Sequence, residues 1–87
     1  MTTVVNKNKE SFEVYVGRGS IFGNPYVIGR DGTREQVIER YREWFKFLLR
    51  DPIFAAAVLD LRDKKLGCFC KPLACHGEVI AEYLNGL

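Results

Sequence analysis

Lys65-Leu66-Gly67-Cys68-Phe69-Cys70 reads as a short buried strand, and its position decides the fold. Helical patterns lie on both sides of it. Upstream, Asp51-Pro52 opens a helix that is expected to run to about Arg62, with Asp51 as the cap, Pro52 in the first position, and Phe54, Val58 and Leu61 buried. Downstream, a helix begins near Cys75 or His76 and buries Val79, Ile80, Tyr83 and Leu84.

Further upstream stands the most strongly patterned helix of the chain. Thr33 and Gln36 have the spacing of a capping box. Val37, Ile38, Tyr41, Trp44, Phe45 and Leu48 then recur at helical spacing. Aromatic residues on such a stripe belong to a core and not to a base-stacking platform. Phe47 falls off the stripe and marks a contact surface, such as a homodimer interface. Before this helix, residues 2–5 are β-prone, and residues 12–16 alternate with Phe12, Val14 and Val16 on one face. Tyr26-Val27-Ile28 offers one more short strand. The order β(β)-αα-β-α predicts an α/β fold: a compact single domain over residues 1–87, with a small mixed or parallel sheet packed by about three helices.

Composition agrees with one small core. The chain has 87 residues, 47% hydrophobic and 28% charged, a balance that excludes general disorder. Its net charge of +2 is spread among interleaved acids, so no basic stripe demands nucleic acid. No apolar run approaches the roughly 20 residues of a membrane span, and no secretory signal precedes the first strand. Three cysteines cannot all pair with one another, and Cys68 and Cys70 lie too close along a strand to bridge. Free or metal-bound thiols in a reducing cytoplasm are therefore expected.

All three cysteines and the sole histidine fall within nine residues: Cys68, Cys70, Cys75 and His76. Three readings compete for them. As Cys-x-Cys-x4-Cys-His they offer four ligands to a structural zinc, although the neighbours Cys75 and His76 point in different directions at a helix start. As a reactive site, Cys75 sits where a helix N-terminus lowers a thiol pKa, His76 serves as acid, base or ligand to a phosphate, and Glu78 orients it or accepts a proton. As plain packing, Cys68 and Cys70 are small hydrophobes in a central strand.

The second candidate region is Gly17-Arg18-Gly19-Ser20-Ile21-Phe22-Gly23-Asn24-Pro25, after the second strand. It carries neither the Walker A nor the Rossmann glycine pattern. Its backbone N–H groups can cradle an anion, and Arg18 can bind phosphate or carboxylate. Gly19, Ser20, Asn24 and Pro25 complete the candidate ligand site. A tight turn with an exposed arginine accounts for the glycines equally well. In parallel sheets ligands sit at the carboxyl ends of the strands, which places this loop and the cysteine segment on one rim.

The segments Val14–Ser20, Phe22–Pro25, Ile28–Glu35 and Leu66–Cys70, with Pro72 and Cys75-His76-Gly77-Glu78-Val79-Ile80, resemble the DUF4326 family of small bacterial and phage proteins over nearly the whole chain. That resemblance implies no reaction. It implies that the Arg18–Pro25 loop and the Cys68–Glu78 segment are shared signatures. The function expected is binding of a phosphorylated ligand, a nucleotide or nucleoside derivative, with hydrolase or transferase activity left open. The alternative is a non-enzymatic zinc-stabilised module that binds protein or nucleic acid.

Overall fold

The computed structural model describes residues 1–70 and 73–87; Pro72 of the shared signature lies outside the described residues. Three strands, β1 (Thr3–Asn6), β2 (Val14–Tyr15) and β3 (Lys65–Cys68), form one sheet in the order β1-β3-β2, with both pairings parallel. Three helices accompany them: α1 (Arg34–Leu48), α2 (Pro52–Leu59) and α3 (Gly77–Asn85). The chain is thus an α/β domain with a parallel sheet.

β3 is central, which explains its continuous apolar character: a strand paired on both edges and covered on its faces has no solvent side to mark with polar residues. Val4 and Val14 flank Leu66, and Val5 and Tyr15 flank Gly67. Leu66 and Cys68 are fully buried against the helices, in one core with Tyr41, Phe45, Val58, Ile80 and Leu84. On the other face Phe12 lies across Gly67, where an added Cβ would stand 2.6 Å from its ring. Phe12 therefore does not share a face with Val14 and Val16, and the regular strand shrinks to two residues. Its hydrogen bonding still continues on both sides, from Glu13 N–H to Lys65 O and from Val16 N–H to Gly67 O.

The helix boundaries follow local chemistry. Thr33 Oγ1 accepts from Gln36 N–H (3.2 Å) and Gln36 Oε1 accepts from Thr33 N–H (2.8 Å), closing the capping box. Asp51 accepts from Ile53 N–H (2.9 Å) ahead of Pro52. α2 stops at Leu59, short of Arg62. Leu61 and Arg62 N–H groups bond three residues back, and Asp63 takes a left-handed φ of 61°. This turn re-aims the chain into β3 and is tied to the N-terminus by Asp63 N–H donating to Thr2 Oγ1 (3.0 Å). Residues 26–28 form no strand. Val27 N–H donates to Asp31 Oδ2 and Asp31 N–H to Val27 O, both at 2.8 Å, so this segment closes on itself. Tyr41 and Phe45 are core, as the stripe requires, and Phe47 is exposed with the Arg50 guanidinium 5.7 Å from its ring. Among the described residues no helix is long and apolar enough to cross a membrane.

Candidate functional site

The chain leaves β2 at Gly17 and doubles back. Ser20 N–H and Ser20 Oγ both donate to Gly17 O, and Gly23 N–H donates to Ser20 O. Gly23 passes so close that a Cβ on it would lie 2.8 Å from Gly17 O and 3.0 Å from Arg18 Cα. Phe22 plugs this loop into the core, and its carbonyl accepts from the buried Tyr41 hydroxyl at 2.7 Å. The Arg18 side chain then reaches across the loop: Nη1 donates to Asn24 O (3.0 Å) and Nη2 to Tyr26 O (3.4 Å).

These bonds redistribute the expected roles. Ser20, Phe22 and Gly23 N–H groups are engaged inside the loop and do not form an anion cradle. Asn24 is buried, with Nδ2 donating to Val37 O and Oδ1 accepting from Tyr26 N–H. It fixes the loop to α1 as an internal brace. Gly19, Ser20 and Pro25 do not line the cavity described next; Arg18 and Asn24 do.

That cavity, of about 180 Å³, lies where the glycine loop, the start of α1 and the segment after β3 meet. Arg18 and Tyr26 come from one wall, Arg34 and Ile38 from α1, and Phe69, Cys70 and His76 from the third. Arg34 Nη1 donates to Ala74 O (3.2 Å), bridging α1 to the approach to α3. Among the described residues the wall carries two guanidinium groups and no carboxylate. Sequence reasoning missed Arg34. A signal existed: a cation in the first turn of a helix opposes the macrodipole, so it needs another reason to be there.

His76 caps α3 without a side-chain cap bond and turns inward. Its Nε2 lies 2.8 Å from Val16 O. A carbonyl only accepts, so Nε2 carries the proton and the lone pair is on Nδ1, 3.9 Å from Cys75 Sγ. Burial lowers its pKa, and the Arg18 charge adds to this against the Val16 hydrogen bond, so the imidazole is neutral at pH 7. Glu78 does not orient it. That carboxylate lies on the β1 side of α3, beside Thr2, Thr3 and Val4. Nor is Cys75 an activated thiol. A hydrogen bond with the Cys68 thiol and burial push its pKa up, outweighing the opposing Gly77 N–H, which donates to Sγ at 3.4 Å. Cys75, His76 and Glu78 thus do not converge on the cavity as a reactive set.

The three thiols do converge. Cys68, Cys70 and Cys75 are not joined in a disulfide, and their sulfurs lie within 4.8 Å of one another. Cys68 and Cys75 are buried, while Cys70 is half-buried and reaches the cavity wall. Strand alternation aims Cys68 and Cys70 to one side, and the approach to α3 brings Cys75 back to them. The three can hold a metal ion. His76 is not part of the cluster, so the four-ligand set contracts to three. Cys68 is at the same time a fully buried member of the core, and Cys70 packs against it.

Fold and site together define a small parallel α/β domain with an arginine-lined cavity and a three-thiol cluster at the carboxyl rim of its sheet. The chain belongs to the DUF4326 family, described as a domain of unknown function, which it matches over residues 3–86. It is similar to the "Uncharacterized 12.4 kDa protein in nrdA-td intergenic region" of Enterobacteria phage T4: the two are 42% identical over 86 residues, covering 97% of this chain and 78% of the phage protein. No solved structure matches.

Proposed function

We propose that this protein binds a small phosphorylated ligand, of nucleotide or nucleoside-derivative type, in the cavity at the carboxyl rim. One observation carries the reading: two guanidiniums, Arg18 and Arg34, line a largely apolar cleft from which carboxylates are missing among the described residues. Guanidiniums recognise phosphate oxygens by charge-assisted hydrogen bonds, and Tyr26, Ile38 and Phe69 offer surface to a ring. At about 180 Å³ the cleft is smaller than the roughly 300–1,000 Å³ of sites for drug-sized molecules. It suits a phosphate with one ring, and a dinucleotide is too large for it. Binding is favoured over hydrolysis or group transfer by Cys75, His76 and Glu78, because these side chains do not meet there. A reducing cytoplasm suits three cysteines that form no disulfide.

Calorimetry with nucleoside monophosphates, ribose 5-phosphate and inorganic phosphate tests the proposal. Loss of one charged hydrogen-bonding partner is worth about 1.5–3 kcal/mol, so Arg18→Ala and Arg34→Ala should each weaken binding by roughly 10- to 150-fold. Unchanged affinity in both folded variants would sink the assignment. The second reading, a zinc-stabilised module for protein or nucleic acid, has the thiol cluster in its favour. It predicts one zinc per chain and no affinity for any of these phosphates.

A further inference from the structure

We infer that Cys68, Cys70 and Cys75 form a three-thiolate zinc centre whose fourth coordination position opens onto the arginine cavity, where an anionic group of the bound ligand supplies the fourth donor. The centre itself stands on the sulfurs alone; the identity of the fourth donor rests on the phosphate-binding reading above.

The cluster has the right number, type and proximity of ligands. Tetrahedral zinc with Zn–S near 2.3 Å requires sulfurs roughly 3.8 Å apart. The three sulfurs already lie within 4.8 Å, so closing on an ion needs movements of about 1 Å or less. Cys68 and Cys75 seal the inner side, each almost fully buried. Cys70 belongs both to the cluster and to the cavity wall, so the accessible side of a bound ion is the cavity side.

Two further features fit an open site. Structural zinc sites close with four protein ligands, whereas sites that exchange a ligand keep three. Here the nearest additional candidate, His76, has its Nδ1 3.9 Å from Cys75 Sγ but stands outside the group whose ligand atoms all lie within 4.8 Å of one another, so it is the residue the test must separate from the cluster. The charges also match. Three thiolates and Zn²⁺ sum to −1, and Arg18 and Arg34 on the adjoining wall leave the cavity net cationic. A phosphate there meets two guanidiniums and a metal instead of a bare thiolate cluster.

Cobalt(II) substitution of the full chain, prepared anaerobically with reductant, reads the centre directly. The expected result is one cobalt per chain, with thiolate-to-cobalt charge-transfer bands. Cys68→Ser, Cys70→Ser and Cys75→Ser should each weaken metal binding at least tenfold, and His76→Gln should retain it. Sodium azide and inorganic phosphate should each shift the visible d–d bands. In Arg18→Ala the azide shift should persist while phosphate needs at least tenfold higher concentration. Absence of stoichiometric cobalt or zinc in the wild-type chain overturns the centre, whatever the cavity binds. Bands that ignore both azide and phosphate overturn the open position, and metal loss in His76→Gln then identifies a closed four-ligand site. An azide shift without a phosphate shift retains the open centre and refutes phosphate as its fourth donor, which is a failure of the cavity reading alone. Circular dichroism of each variant separates ligand loss from unfolding, and the wild-type spectra decide the question without any variant.

Discussion

Tyr41→Phe removes one oxygen atom from the middle of the molecule, and the consequence can be worked out. The Tyr41 hydroxyl donates to Phe22 O at 2.7 Å, and the Tyr41 side chain has no solvent exposure. The variant keeps the ring, its stacking on Phe45 (centroids 5.9 Å apart) and its edge contact with His76 (5.0 Å). No large void forms, so the change isolates the hydrogen bond. What remains is a buried carbonyl stripped of its donor, an arrangement that costs about 1–3 kcal/mol. A domain of this length has a total stability of roughly 4–13 kcal/mol. Its unfolding entropy is about 0.18 kcal/mol/K, so the melting temperature should fall by roughly 5–15 °C. Thermal and urea unfolding followed by circular dichroism measure both quantities, with an unchanged urea slope expected. Burial raises the Tyr41 pKa, so its phenol remains protonated across the usable pH range and adds no titration of its own. A variant within about 0.5 kcal/mol of wild type would refute the claim that this carbonyl is dry and dependent on Tyr41.

Gly23→Ala places a methyl group 2.8 Å from Gly17 O and 3.0 Å from Arg18 Cα, both backbone atoms that cannot swing aside. It should destabilise by about 1–3 kcal/mol and displace Arg18, so wild-type affinity for nucleoside monophosphates by calorimetry would contradict the loop geometry. Thr33→Ala should cost about 1 kcal/mol in urea denaturation; the effect of Gln36→Ala should not add fully to it, because the two side chains close one capping box. Asp31 has its carboxyl pKa lowered by hydrogen bonds from Arg30 and from the Val27 N–H. A lowered folded value means that the 27–31 loop is supported above the ordinary carboxylate pKa of about 3.9 and loosens as the pH falls below it. The Val27 amide shift in an NMR titration should report a midpoint below about 3.9 that vanishes in Asp31→Asn; a midpoint at or above that value would contradict the assignment.

Elements governed by local chemistry were legible in the sequence. The capping box at Thr33, the Asp51-Pro52 start and the apolar stripe of α1 involve residues within one or two turns of each other. The unbroken apolar run of β3 also announced a central strand, and alternation set Cys68 and Cys70 on one face. What escaped depends on distant partners. Arg34 meets Ala74 across 40 positions, and His76 meets Val16 across 60. Neither pairing leaves a mark in the residues next to it. Glu78 is a different case. Two residues along a helix turn through about 200°, so a residue two positions after His76 faces away from it. The loss of an activated Cys75 is again tertiary: the helix-start N–H is there, but a second thiol and burial outweigh it.

The threading of β3 between β1 and β2 has a consequence for how the chain acquires its structure. β1 and β2 are not neighbours; each is hydrogen-bonded to β3, which lies about 50 to 60 residues later. During synthesis the first 64 residues can form α1 and α2 but have nothing on which to build a sheet. Loop-closure entropy is met before the sheet pairs, which favours slow folding for so short a chain. The third cavity wall, the thiols and the sheet's middle strand then arrive together in the last third of the chain. A partly made protein that lacks this last third therefore carries Arg18 and Arg34 but neither the wall that faces them nor the thiols.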